Sequence, residues 1–140
     1  MAGAPPEVRV PLESERMMML YQPALGESLD SFEKGERLLL HGLANVGNCD
    51  GYYLITDRGV HYCDSEKMGL FKKRYVSRFY PRSQMAKGII DQIAGPHAAY
   101  LRIYDENGRM NLVFWFNEEP WQKAPALVQA EAAARALGFA

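Results

Sequence analysis

Two stretches of this chain alternate apolar and polar side chains about tight turns, and that pattern constrains the fold more than any other feature. Leu101 and Ile103, then Leu112, Phe114 and Phe116, keep a period of two on either side of Asp105-Glu106-Asn107-Gly108. Tyr52-Tyr53-Leu54-Ile55-Thr56 and the run Val60 to Asp64 flank Asp57-Arg58-Gly59 in the same way. A period of two sends every second side chain to one face of a strand. Gly59 suits a positive-φ position in a hairpin turn. Extended stretches also read from Arg37 to Val46, from Leu70 to Tyr80 with Pro81 closing it, and weakly from Gly88 to Ile93. Asn45 to Gly51 is dense in turn formers and reads as a loop. Seven short strands at this spacing predict a barrel or sandwich, with Leu38, Leu40, Ile55, Leu101, Ile103, Leu112, Phe114 and Phe116 in the core.

The two ends follow other rules. Leu25, Leu29 and Phe32 recur at i, i+4 and i+7, so residues 25–33 read as a short amphipathic helix that Gly35 stops. Residues 1–24 read as an arm broken by Pro5, Pro6, Pro11 and Pro23. Met17, Met18, Met19, Leu20 and Tyr21 are a heavy apolar load for a free tail, which makes them candidates for docking on the domain or on a neighbouring copy. At the other end, Pro125 fits a first helical turn. Leu127, Ala130, Ala134 and Leu137 share a stripe, Gly138 reads as the helix stop, and Phe139 as the contact folding back after it. The alanines would let this helix approach a sheet closely.

The order of these elements resembles the pleckstrin-homology superfold, a bent seven-stranded sheet plugged by a C-terminal helix. The resemblance sharpens at Gly35-Glu36-Arg37-Leu38-Leu39-Leu40 and at Gly51-Tyr52-Tyr53-Leu54-Ile55-Thr56-Asp57-Arg58-Gly59-Val60-His61-Tyr62, which look like bacterial PH-like and GRAM-like domains. It covers roughly residues 30–137. It implies a mainly β fold, a PH-like seven-stranded antiparallel barrel capped by a C-terminal helix over 25–140, with the arm of residues 1–24 outside it. Phosphoinositide-binding members carry basic residues in the loop between their first two strands. The matching stretch here, Asn45 to Gly51, has no Lys or Arg and one acid, which argues against that ligand.

With 48% hydrophobic and 24% charged residues in 140, the composition is that of one globular domain rather than a disordered chain. A net charge of −1 excludes a histone-like polycation. No uncharged apolar run approaches the roughly 18 residues of a membrane span, and Met1 to Pro11 hold Glu7 and Arg9 and no apolar core of a secretory signal. Two cysteines make no disulfide framework. Reduced thiols in a cytoplasm are the expectation.

The charges are unevenly placed. Lys67, Lys72, Lys73, Arg74, Arg78, Arg82 and Lys87 fall in one segment, and no acid occurs from Lys67 to Ile90. Phe71, Tyr75, Phe79 and Tyr80 interleave them. Such a segment reads either as a solvated strand face that protects an edge or as an anion site for a lipid headgroup, a nucleic acid phosphate or an acidic partner. Cys49, His61 and Cys63 are too few for a structural zinc site, and no metal or cofactor is expected. His41 reads as a core or edge histidine, His97 as a turn residue. Trp115 and Trp121 read as core or rim packing. No nucleophile elbow or phosphate loop appears. The sequence therefore predicts a non-enzymatic binding or assembly module acting on a protein partner or on itself. The alternative is a peripheral binder of an anionic ligand through 67–87. Neither nucleic acid nor a small-molecule substrate is the expected partner.

Overall fold

The computed structural model describes residues 26–47, 49–67, 69–70, 73–92, 98–117 and 124–139, and for 49–50, 63–67 and 73–75 the backbone alone. A helical turn over 26–30 (α1) leads into β1 (Leu38–Val46), β2 (Cys49–Thr56), β3 (Gly59–Lys67) and β4 (Lys73–Pro81). A 3-10 turn, Arg82–Gln84, joins these to β5 (Lys87–Asp91), β6 (Ala98–Tyr104), β7 (Met110–Asn117) and the helix α2 (Ala126–Ala136). The strands form one antiparallel sheet in the order β4-β3-β2-β1-β7-β6-β5. Two meanders are thus joined where Asn45 and Val46 of β1 pair with Trp115 and Phe114 of β7, with the Gly47 N–H donating to Val113 O beside them.

The mainly β architecture with a C-terminal helix is as expected, but the sheet is not closed into a barrel. Among the described residues β4 pairs only with β3, and β5 only with β6. Closure needs a continuous ladder between the last two strands, and here α2 fills the concave side instead. Its Ala126, Ala130, Ala133 and Ala134 are buried against Leu101, Ile103, Leu112, Phe114 and Phe116. Ala side chains allow this close approach, whereas the expected stripe residue Leu127 is only half-buried. Leu38 and Leu40 are likewise half-buried, and Leu40 packs at the edge of the core. Tyr53 meets Phe114 edge-on at 5.4 Å, which suits the ring quadrupoles.

The β1–β2 connection is tighter than the sequence suggested. Val46 pairs with Cys49 and Asn45 with Asp50, so the expected loop 45–51 shrinks to residues 47–48. Gly47 takes φ 62°, which a two-residue hairpin requires. The helix stop behaves as read: Gly138 has φ 83°, its N–H donates to Arg135 O, and the Phe139 N–H donates to Ala134 O. That is a Schellman closure. The expected helix 25–33 is one turn. Ser31 N–H still donates to Glu27 O, but Gly35 (φ 84°) has already turned the chain toward β1. The arm of residues 1–24, with Met17–Tyr21, lies outside the described residues.

Candidate functional site

The most conspicuous polar cluster in the fold is built on Glu36, whose side chain is fully buried. It accepts the Glu33 N–H at 2.9 Å, the Thr56 hydroxyl at 2.7 Å, Arg58 Nη1 at 2.8 Å and His61 Nε2 at 2.6 Å. Burial by itself would raise this carboxyl. The hydrogen bonds from Glu33, Thr56, Arg58 and His61 outweigh burial and hold it at about 2, so it is a carboxylate at neutral pH. Asp57 adds a second tie. Its carboxylate accepts the Arg37 N–H at 3.0 Å, and its own N–H donates to Arg37 O at 3.2 Å. The Gly35-Glu36-Arg37 and Thr56-Asp57-Arg58-Gly59 stretches, separated in sequence, are therefore halves of one hydrogen-bonded unit.

His61 sits between Phe32, 4.6 Å away, and Phe79, 4.5 Å away, and is about 1% exposed. Burial pushes its imidazole below the usual value, with Glu36 opposing and Arg58 assisting that shift. Its Nε2 is the donor to the Glu36 carboxylate, because an ionised carboxylate only accepts. Its Nδ1 lies 3.2 Å from Ser31 Oγ. Nε2 is thereby engaged within the protein, while Nδ1, an acceptor in the neutral ring, lies beside a hydroxyl whose hydrogen goes to Ser28 O. Ser31–His61–Glu36 has the order of a nucleophile relay, yet the surrounding donors are spent. The Ser31 hydroxyl donates to Ser28 O at 2.7 Å. The main-chain N–H groups of Ser31 and Phe32 donate to carbonyls of Glu27, Ser28 and Leu29. No preorganised pair of N–H groups at Ser31 is left to stabilise an oxyanion. The cluster instead seats the segment 28–36 on β3 and β4, aided by the Ser28–Ser77 hydroxyl pair at 2.7 Å.

The described members of the basic segment are spread along the sheet. Lys67 and Lys73 face each other across the end of the β3–β4 ladder, beside the Glu66–Arg74 pair. Arg78 is exposed farther along β4, and exposed Lys87 begins β5 at the other end of the strand order. Arg82 does structural service. Its Nε donates to Leu137 O and its Nη1 to Met85 O, each at 2.6 Å, and its guanidinium lies 4.5 Å over the Phe139 ring. Lys72 lies outside the described residues, as do the side chains of Lys67, Lys73 and Arg74.

Two features escaped the sequence reading. Trp115 is 38% exposed and stacks on Tyr100 at 5.3 Å, with the Arg102 guanidinium 5.1 Å over Tyr100 and paired with Asp91. Aromatic residues and Arg are the types enriched in protein interfaces. The signal was the odd-numbered set on β7, whose even-numbered partners fill the core. The second feature is a polar cavity of about 260 Å³ between the 3-10 turn and the β6–β7 turn. It is lined by Tyr80, Ser83, Gln84, Asp105, Glu106, Asn107 and Asn111. Burial and Asp105 both push the Tyr80 phenol up. Neither Trp115 nor His41 lines this cavity; Nδ1 of His41 is bonded to the Tyr52 hydroxyl.

Among the described residues no helix is long and apolar enough to cross a membrane. No family model, curated protein or solved structure matches the chain.

Proposed function

We propose that this chain is a non-catalytic binding and assembly module of the PH-like superfold, working in the cytoplasm and associating with itself or a protein partner. The observation that carries the reading is the placement of its unspent surface. The buried polar groups around Glu36 seat the segment 28–36 on the sheet, while among the described residues β5 carries no strand on its outer side and Trp115, stacked on Tyr100, is exposed. Element order and the packing of α2 across β6 and β7 support the superfold assignment. Sedimentation velocity over about 1 to 500 µM tests the association, since affinities in this range correspond to only about 5–8 kcal/mol. A mass that rises with concentration, and still does so in high salt, is the expected result. A monomer throughout refutes self-association.

The register of Lys67 against Lys73 favours a second reading. Like charges directly opposite each other destabilise a ladder, and an anionic surface would relieve them. Co-sedimentation with vesicles of anionic phospholipid, lost when ionic strength rises by about tenfold, would favour that reading.

A further inference from the structure

We infer that two copies of this chain pair edge to edge through β5, antiparallel and two-fold symmetric about Ile89. This inference rests on the self-association reading and names the surface that performs it. Among the described residues β5 pairs with β6 alone, so one side of Lys87–Asp91 carries no strand. An isologous contact places residue i of one copy opposite residue j of the other, and j opposite i. Centred on Ile89, it sets Lys87 opposite Asp91 of the second copy and Asp91 opposite Lys87 of the second copy, with Ile89 meeting Ile89. A five-residue strand with a cation at one end and an acid at the other is thus complementary to its own reverse.

The neighbouring strand continues that surface. Lys87, Ile89 and Asp91 lie in register with Tyr104, Arg102 and Tyr100 of β6. Tyr100 stacks on Trp115 of β7, so an aromatic flank runs along each side of the join. Arg102, already paired with Asp91, brings a further positive charge to it. Strand addition supplies main-chain hydrogen bonds, and the alternate side chains supply selectivity. On the inner side Gly88 is seated against Phe139, where an added Cβ would lie 2.6 Å from the ring. The end of α2 therefore holds β5 in place.

The other edge does not fit a second copy. The Glu27 carboxylate accepts the Ser77 N–H of β4 at 3.2 Å, and the Ser28 hydroxyl bonds that of Ser77. The charged residues of β4 are Lys73, Arg74 and Arg78, all positive, so reversal offers them no acid. An exposed edge is a template for pairing, and charge decides which partner it accepts.

The test uses Lys87→Asp and Asp91→Lys in the full chain, with circular dichroism verifying the fold. Each variant alone should weaken self-association by at least about tenfold, because like charges then face each other twice. Mixed in equal amounts, the two should recover the wild-type dimer mass, since every opposed pair is again complementary. Ile89→Lys, which sets two ammonium groups across the two-fold axis while keeping Lys87 and Asp91 themselves, should also give monomer. A wild-type dimer unaffected by all three changes, or folded single variants that fail to recover on mixing, overturns the β5 contact and leaves self-association through another surface. A wild type that is monomeric throughout overturns both.

Discussion

Replacing Glu36 by Gln should destabilise the fold by about 3 kcal/mol at neutral pH. A carboxyl held at about 2 rather than 4.5 has its charged form favoured by about 3 kcal/mol in the native state. The amide keeps the shape but brings its own donor to a site where Thr56, Arg58 and His61 all donate. Breaking a buried pair from one side costs about 3–5 kcal/mol in other proteins, which agrees with that figure. For a chain of this size the loss corresponds to a melting point lower by about 10 °C. The pH dependence separates this cause from simple misfit. Because the native carboxyl sits below its unfolded value, its stabilisation is complete above pH 4.5 and is lost as pH falls toward about 2. Urea unfolding of both proteins at neutral pH and near pH 2.5 is the assay. The gap should shrink to under about 1 kcal/mol at the acid end. A gap below about 1 kcal/mol at neutral pH, or one that persists undiminished in acid, would refute the reasoning.

Other consequences are equally direct. His41 and His61 are both held below their usual value of 6.5, chiefly by burial, so the unfolded chain takes up protons first and wild-type stability should fall as pH drops below that value. A higher urea midpoint at pH 5.5 than at 7.5 would instead show His61 as an imidazolium paired with Glu36. Phe114→Ala should cost about 3–5 kcal/mol, since Phe114 is wholly buried between Tyr53 and Phe116; an unchanged thermal melt contradicts that placement. Gly59→Ala should prevent folding at 37 °C, because the new Cβ would lie 2.0 Å from Tyr80 O on a backbone at φ 152°; a folded variant by circular dichroism would contradict the turn. Arg82→Ala removes two hydrogen bonds to main-chain carbonyls and should speed amide exchange at Gly138 and Phe139 selectively. Uniform exchange across the sheet would show that Arg82 does not clamp the helix end.

The strands were legible because the physics that shapes them is local. Period two at Leu112, Phe114 and Phe116 depends only on the pleat, and Gly138 and Phe139 end a helix by rules confined to one turn. The site was not legible in the same way. Glu36, Thr56 and Arg58 looked like parts of two separate motifs, and nothing in their spacing says that one carboxylate accepts from both the hydroxyl and the guanidinium. His61 shows in the sequence only as a lone histidine between Val60 and Tyr62, while its partners Ser31 and Phe32 lie about thirty residues before it and Phe79 eighteen after it. The placement of the basic segment was not legible for a related reason. Charge counted along the sequence ignores where a strand turns, and Arg82 is drawn to the C-terminus of α2 while Lys87 starts the far edge strand. Closure into a barrel could not be read either, since it depends on whether β4 and β5 meet, a contact that no local pattern encodes. The seven-residue loop expected between the first two strands failed because Ala44 and Val46 continue the inward alternation past the first turn former, Asn45.

Amide hydrogen exchange of β5, measured on the wild type at low and at high protein concentration, tests most directly whether copies meet through a strand edge. The expected result is protection at Lys87–Asp91 that rises with concentration, in step with the dimer mass, while β4 amides stay unchanged. Exchange in β5 that is independent of concentration while the mass doubles would contradict it.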